Sequence, residues 1–334
     1  MMKLTTMVRG LAGDKAAREL IRNWEFDEGT LKFWRASSNF VYMFNRDGER
    51  YFLRFNFEEE NTAQQLAAEL EFMQYLLKHE YPCVVPISSV NGKWIETIQV
   101  PEGQYHGVVF SAAGGIAFHG TPSASQCRDW GKSLARLHTL SSRYEPGAVR
   151  RRSVEDILRL IDQVLRRHPG EQDAMDELHR ISLWLQFLPA SRQTYGLIHY
   201  DFMLDNIFYE AKERSFHVID FDDAMYHWYA ADIVTALADA ESEHDKQAFL
   251  KGYRSIRSLD HELEAEFSRF QRFSRLYRFA SVLRSLEDSE LADVPSWYEG
   301  LRTKLLRDCE QDRQGVQGTV VTARAMTRSL DAGC

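Results

Sequence analysis

Hydrophobic residues in the first third of the chain occur in short runs between turn residues, a pattern typical of antiparallel strands. Phe40–Phe44 and Tyr51–Phe55 flank the polar turn Asn45–Gly48, so we expect a β-hairpin here. Thr62–His79 instead has apolar residues at helical spacing, and Asp14–Trp24 has a shorter pattern of the same kind. These residues predict strands combined with helices.

A second pair of apolar runs follows the longer of these helices. Val84–Val90 and Lys93–Val100 flank Asn91-Gly92, the strongest short hairpin signal in the chain, and therefore predict a second hairpin. His106–Ser111 is a further candidate strand. The first 110 residues are thus expected to form a mainly antiparallel sheet with one substantial helix.

The character of the chain changes after Ser125, where helical periodicity dominates. Only Ile207–Tyr209 and Phe216–Ile219 interrupt it with strand-like residues. The predicted helices are Cys127–Leu140, Ser153–Arg167, Asp173–Phe187, Tyr229–Ala240 and Leu263–Glu287. A chain of 334 residues is too long for one compact core. We therefore predict an α+β fold with two lobes, a small antiparallel β-rich lobe over residues 1–112 and a larger helical lobe over 113–334.

Composition narrows the range of partners. The 41 basic and 49 acidic residues give a net charge of −8, which argues against a general nucleic-acid-binding protein. No signal peptide or membrane span is visible, and the cysteines lie far apart without a Cys-x-x-Cys pair, which argues against a zinc site or disulfide framework. These cysteines are Cys83, Cys127, Cys309 and Cys334. We expect a cytoplasmic protein that does not bind membranes.

The most informative stretch runs from His199 to Asp223. If Ile207–Tyr209 and Phe216–Ile219 pair across the polar turn between them, the open end of this hairpin places Asn206 beside Asp220. Asp201 lies five residues before Asn206 and is close enough to point into the same space. The sequence therefore predicts a free carboxylate next to a carboxylate and amide pair. The plainer alternative is a set of loop carboxylates that cap helices.

This set of side chains suits phosphoryl transfer from a magnesium nucleotide. Mg²⁺ prefers a few protein oxygens together with phosphate and water, and Asn206 and Asp220 supply two such oxygens. Asp201 would then accept the proton of the acceptor hydroxyl as that hydroxyl attacks the γ-phosphate.

The same residues resemble those of the aminoglycoside phosphotransferase and choline kinase-like phosphotransferases. His199-Tyr200-Asp201 with Asn206 is similar to the family's His-Gly-Asp-(x4)-Asn, and the segment from Ile219 to Asp222 is similar to its Ile-Asp-(Trp/Phe)-(Glu/Asp). The resemblance covers roughly residues 30–290. It implies a bilobal protein-kinase-like fold, ATP and Mg²⁺ as cofactors, Asp201 as the catalytic base, and Asn206 and Asp220 as metal ligands. Tyr200 replaces the usual glycine, and either packing or shaping of the acceptor pocket would explain it.

The resemblance also assigns roles in the N-terminal lobe. Arg54, on a predicted strand, stands where the family often has a phosphate-binding lysine, and a guanidinium there would grip phosphates bidentately. Glu69 fits the helix glutamate that orients this cation, with Glu71 as the near alternative. An exposed strand arginine is the competing interpretation.

Two backbone segments complete the expected nucleotide site. Ser38 and Asn39 belong to the turn where the family's nucleotide loop lies, although this turn contains no glycine and a plain turn explains it equally well. Phe110 and Ala112 lie at the lobe boundary, where the resemblance implies a hinge that hydrogen-bonds adenine.

The predicted function is an ATP-dependent phosphotransferase that acts on a hydroxyl of a small molecule. A protein Ser/Thr kinase of the same fold and a nucleotide-binding scaffold without turnover are the alternatives. An acid-lined, buried acceptor cleft would favour the small-molecule enzyme. The sequence leaves open the acceptor and its charge, the choice between ATP and GTP, and the oligomeric state.

Overall fold

The computed structural model describes residues 1–118, 120–289, 291 and 293–331. The chain divides into two compact units. The sheet unit comprises Arg9–Arg152 and Ala190–Glu264, and the helical unit comprises Met1–Val8, Ser153–Pro189 and the chain from Ala265 onward. The predicted lobe boundary between residues 112 and 113 falls inside the sheet unit, so the lobe assignment stays a prediction.

The main sheet of the sheet unit is antiparallel throughout. The first hairpin is confirmed, because β2 (Phe40–Arg46) pairs with β3 (Glu49–Phe57) across a turn at Asp47 and Gly48, both of which have positive φ angles. The strand order is β1-β2-β3-β6-β4, and β5 also pairs with β6. The remaining strands are β1 (Lys32–Ala36), β4 (Pro86–Ile87), β5 (Glu96–Val100) and β6 (Gly103–Ser111).

The second predicted hairpin is wrong. The turn at Asn91-Gly92 does close, since Lys93 O accepts from Ser89 N at 2.8 Å, but β4 and β5 do not pair with each other. Each pairs with β6 instead, β4 near its end at Phe110 and β5 along its first half. A local turn signal therefore did not determine which strands pair.

The helices that were predicted in the sheet unit begin and end close to the predicted positions. Thr62 caps α3 (Ala63–Lys78) by accepting a hydrogen bond from Gln65 N at 3.3 Å. Apolar residues at helical spacing lie on the buried side of α3, as the periodicity predicts. The other helices are α1 (Leu4–Gly10), which crosses into the helical unit, α2 (Lys15–Ile21), α4 (Ala124–Ser141), α7 (Tyr229–Ala238), α8 (Glu243–Arg254) and α9 (His261–Ala265). Neither α1 nor α8 was predicted from the sequence.

Two small antiparallel sheets position the candidate site. One has the order β10-β9-β7 and the other pairs β11 with β8. The strands are β7 (Ile116–Ala117), β8 (Tyr195–Ile198), β9 (Ile207–Glu210), β10 (Ser215–Val218) and β11 (Met225–Trp228). Ile207 lies opposite Val218, as the predicted hairpin requires.

The helical unit contains α5 (Val154–Arg167), α6 (Gln172–Phe187), α10 (Phe267–Leu286) and α11 (Tyr298–Asp331). The predicted helix Leu263–Glu287 is interrupted at Glu266, which separates α9 from α10. In α5 the buried side chains recur at helical spacing, which produces a strongly amphipathic helix.

The α+β class predicted from the sequence is confirmed, with an antiparallel sheet in the N-terminal region and mainly helices in the C-terminal part. Among the described residues, no helix combines the length and apolar character needed to cross a membrane. Cys83, Cys127 and Cys309 are buried free thiols, and Cys334 lies outside the described residues.

Candidate active site

A buried carboxylate fixes the backbone of the loop that carries Asp201. The backbone N–H groups of His199 and Tyr200 donate to Asp232 at 3.0 and 2.9 Å. Asp232 lies in the first turn of α7, and His138 Nε2 is 3.0 Å from the same carboxylate. Since Asp232 and His138 are fully buried, this network anchors the loop after β8 to two helices.

The backbone at Tyr200 adopts a conformation that favours glycine. Its φ angle is +67°, in the left-handed region that costs an ordinary residue about 1–2 kcal/mol. The residue is 8% exposed, and its ring stacks on His227 with the ring centroids 6.3 Å apart. The ring therefore packs in the interior, which favours the packing interpretation of this substitution.

His199 braces the loop. Its Nε2 donates to Ile219 O at 2.9 Å, and its Nδ1 accepts from Asp201 N at 3.3 Å. Burial lowers the pKa of His199, so the neutral ring with the proton on Nε2 satisfies both contacts. The side chain thereby joins the Asp201 loop to the strand end that precedes Asp220.

Asn206 is tied to the candidate base. Its Nδ2 donates to Asp201 Oδ2 at 2.6 Å and to Asp201 O at 3.0 Å. Both amide protons are thus used toward Asp201, so the amide oxygen of Asn206 points away from it. Burial, followed by the nearby Asp223, Asp220 and Asp205, raises the pKa of Asp201 to about 7, although Asn206 opposes this shift.

The β9–β10 hairpin brings Asp220 to the same place. Asn206 O accepts from Ile219 N at 3.0 Å, so the pairing continues to the residue just before Asp220. Asp220 itself has a φ of +61°, which turns the chain sharply as it leaves the hairpin. The predicted neighbourhood of Asn206 and Asp220 is therefore present in the backbone.

Arg54 and Glu69 form a buried ion pair beside Asp220. Arg54 Nη2 lies 2.8 Å from both carboxylate oxygens of Glu69, and Arg54 Nη1 lies 3.6 Å from Asp220 Oδ1. Burial alone would lower the pKa of Arg54, but Glu69, Asp222 and Asp220 raise it above its ordinary value. Arg54 therefore stays charged. Its guanidinium carbon also lies over the Phe110 ring, 5.0 Å from the ring centroid.

The two glutamates of α3 have different partners. Glu69 faces Arg54, whereas Glu71 accepts from Tyr144 OH at 2.9 Å and from Gly147 N at 2.7 Å. Of the two candidates, the structure brings Glu69 to the site and leaves Glu71 in a loop contact.

The polar atoms around Asp220 suit a divalent cation. Within the described residues, Asn206 Oδ1 and Asp220 Oδ1 are buried oxygens without a hydrogen-bond partner. No group of three or more His, Cys, Asp and Glu side chains in that part of the chain suits a metal ion. Mg²⁺ favours a coordination shell in which one or two protein oxygens are joined by phosphate oxygens and water. The residues present therefore fit the expected metal.

Parts of the predicted phosphate turn and hinge are hydrogen-bonded within the protein. The Asn39 side chain is buried and hydrogen-bonded to Asn56, and Ser38 O accepts from the same amide at 3.5 Å. Ala112 N donates to Arg50 O at 3.3 Å, so this N–H group of the predicted hinge has a partner within the protein. The nucleotide-binding roles predicted for the turn and the hinge stay predictions; these residues are Ser38, Asn39, Phe110 and Ala112.

Sequence reasoning missed two arginines. Arg35 Nη2 donates to Asp220 Oδ2 at 2.7 Å, across 185 positions of sequence. Arg151 is buried and donates to Ala224 O at 2.9 Å, to Gln65 O at 3.0 Å and to Asp222 O, which ties α3 to the segment after Asp220. The sequence offers no local signal for either, since one lies on a strand and the other in a run of three arginines.

Comparison with known proteins identifies the family. Residues 30–267 match the phosphotransferase enzyme family, APH. The chain belongs to this family. The resemblance and the enzyme class predicted from the sequence are thereby confirmed.

Individual relatives support the same assignment. Amicoumacin kinase of Bacillus subtilis is 23% identical over 279 residues, which cover 74% of this chain and 78% of the relative. Homoserine kinase of Phenylobacterium zucineum is 30% identical over 235 residues, which cover 66% of this chain and 69% of the relative. The solved complex of amicoumacin kinase hAmiN with AMP-PNP, Ca²⁺ and Ami has a TM-score of 0.72 at 20% identity, covering 89% of this chain and 93% of that one. This last likeness shows the fold.

Proposed function

We propose that this phosphotransferase moves the γ-phosphoryl group of ATP, with Mg²⁺, to the hydroxyl group of a small molecule. The observation that supports this most directly is the cluster of Asp201, Asn206 and Asp220 at the open end of the β9–β10 hairpin. Asn206 Oδ1 and Asp220 Oδ1 accept no hydrogen bond from the described residues, so each can bind a cation.

Asp201 is the proposed base. The hydrogen bond from Asn206 at 2.6 Å holds its carboxylate in one orientation, so little reorganisation is needed when an acceptor hydroxyl arrives. Its pKa of about 7 lies near neutral pH, where a base combines sufficient ionisation with a strong tendency to take a proton. Asp201 would receive the hydroxyl proton as the hydroxyl oxygen bonds to the γ-phosphorus, while the bond from that phosphorus to the bridging oxygen breaks and ADP leaves.

Arg54 is the proposed phosphate ligand on the sheet. Glu69 fixes its guanidinium, and Arg54 Nε has no hydrogen-bond partner within the described residues. A fixed guanidinium with an unused donor suits bidentate contact with the α- and β-phosphates. Mg²⁺, when bound through Asn206 and Asp220, would supply the further positive charge that phosphoryl transfer requires.

The names of the relatives suggest which acceptors to test. Two relatives are named homoserine kinase and amicoumacin kinase, and homoserine is a short amino acid with a side-chain hydroxyl. We therefore propose a panel of homoserine, short amino alcohols, amicoumacin, aminoglycosides and choline, with a generic protein substrate included because the sequence left that acceptor open.

The test is ADP release by the full chain with Mg²⁺-ATP and each acceptor. For an acceptor that raises ADP release, we expect Asp201→Asn to lower turnover by on the order of 10²- to 10⁴-fold, the usual effect of removing a general base. AMP-PNP affinity should stay within about twofold, because the lost interaction acts mainly in the transition state.

Asp205→Asn is the matched control, since Asp205 is an exposed carboxylate on the same loop. This variant should keep most of the turnover. If Asp201→Asn transfers phosphate at the wild-type rate, Asp201 is not the base and the proposed mechanism is wrong.

A further inference from the structure

Arg35 lies at the edge of the turn where a nucleotide loop is expected. It is the second-to-last residue of β1, directly before the turn that leads into β2. The β1–β2 pairing is irregular between Phe33 and Arg35, where one strand contains an extra residue. Bulges of this kind redirect the side chains that follow them. This irregularity accounts for the side of the sheet on which the Arg35 side chain lies.

The side chain of Arg35 ends on the proposed metal ligand. Arg35 Nη2 is 2.7 Å from Asp220 Oδ2, while Arg54 Nη1 is 3.6 Å from the other oxygen, Oδ1. Asp220 therefore lies between two guanidinium groups.

These two arginines differ in how firmly they are held. The Arg54 side chain is 7% exposed and has Glu69 as a second carboxylate partner. The Arg35 side chain is 40% exposed, and Asp220 is its only carboxylate partner within ion-pair distance among the described residues. Arg35 can therefore leave Asp220 for solvent or for another anion, whereas Arg54 is fixed.

A guanidinium and a divalent cation compete for the same carboxylate. Arg35 donates to Asp220 Oδ2, whereas Mg²⁺ would bind Oδ1 at about 2.0–2.1 Å, and two cations on one carboxylate repel each other. Nucleotide phosphates, which carry several negative charges, offer Arg35 a stronger partner than one carboxylate. The turn after Arg35 contains no glycine, so a charged side chain would supply contacts that a close backbone wrap supplies elsewhere.

We propose that Arg35 is an exchangeable phosphate ligand, paired with Asp220 in the nucleotide-free protein and with the nucleotide phosphates in the loaded protein. This inference rests on the proposed function. It assigns Arg35 two opposite effects. Arg35 weakens metal binding when nucleotide is absent, and it strengthens nucleotide binding when metal is present.

The experiment measures both affinities in the full chain by titration calorimetry. Mn²⁺ without nucleotide is the metal probe, and AMP-PNP with saturating Mg²⁺ is the nucleotide probe. For Arg35→Gln we expect Mn²⁺ to bind about fivefold more tightly, since a partly exposed ion pair no longer competes. We expect AMP-PNP to bind roughly tenfold more weakly, since a charge-assisted contact to phosphate is lost. Adenosine, which has no phosphate, should bind equally to both proteins.

Lys32→Gln is the matched control, because Lys32 is exposed on the same strand and the change removes the same charge. It should alter neither affinity by more than about twofold, and Arg35→Lys should lie between wild type and Arg35→Gln.

Three results would overturn the inference. If Arg35→Gln weakens both Mn²⁺ and AMP-PNP, Arg35 supports the shape of the site and does not compete with the metal. If neither affinity changes, the contact with Asp220 has no role in binding. If wild-type protein binds neither probe, the proposed function fails together with the inference. The first two results, in contrast, would refute the role of Arg35 and leave the proposed function intact.

Discussion

Glu69→Gln should destabilise the protein strongly, because it leaves the Arg54 guanidinium buried without its main partner. The Arg54 and Glu69 side chains are 7% and 0% exposed, so solvent does not screen the pair. Removing one partner of a buried ion pair costs about 3–5 kcal/mol. Arg54 keeps Asp220 at 3.6 Å, which places the expected loss in the free energy of unfolding at the low end, about 3 kcal/mol.

The assay is urea denaturation of the full chain, with Glu71→Gln as the matched control on the same helix. Glu71 accepts from the neutral donors Tyr144 OH and Gly147 N, and an amide oxygen can still accept from both. Glu71→Gln should therefore cost no more than about 1 kcal/mol. If the two variants are equally stable, the Arg54–Glu69 pair is not the buried charge pair that the geometry indicates.

Two further predictions concern the loop and its surroundings. Tyr200→Gly should be more stable than Tyr200→Ala by about 1 kcal/mol in urea denaturation, because alanine keeps the cost of the +67° φ angle and glycine does not; equal stability would contradict the left-handed backbone. Burial lowers the pKa of His227 to about 3, so the folded chain holds it neutral, and stability should fall as the pH is lowered from about 6.5 toward 3 while the unfolded chain takes up a proton. His227→Gln should make the dependence of the unfolding free energy on pH shallower by up to about 1.4 kcal/mol per pH unit. Identical slopes would show that His227 is not held neutral in the folded protein.

The parts of the site that follow from sequence are those built by local structure. Asp201 and Asn206 are five residues apart on one loop, and a short polar turn sets the register that carries Ile219 past Asn206. Antiparallel pairing across a short turn leaves few alternatives once the turn is located. The neighbourhood of Asn206 and Asp220 could therefore be derived before any coordinates were known.

Long-range pairing could not be derived in this way. Asn91-Gly92 forms the turn that its residues favour, yet β4 and β5 each choose β6, because the partner of a strand depends on the whole sheet. The contact between Arg35 and Asp220 likewise depends on a bulge in β1 and on a strand end 185 positions away. The choice between Glu69 and Glu71 depended on which face of α3 meets Arg54, and one helical turn contains both residues.

Calorimetry of AMP-PNP binding with and without Mg²⁺, in wild type and in Asp220→Ala, tests the central claim most directly. Asp220 and Asn206 should hold the cation against the phosphates and offset their charge, so Mg²⁺ should strongly increase the affinity of wild type. Asp220→Ala should lose that increase and retain the affinity measured without metal. An equal increase in both proteins would show that Asp220 does not bind the metal and would contradict the proposed site.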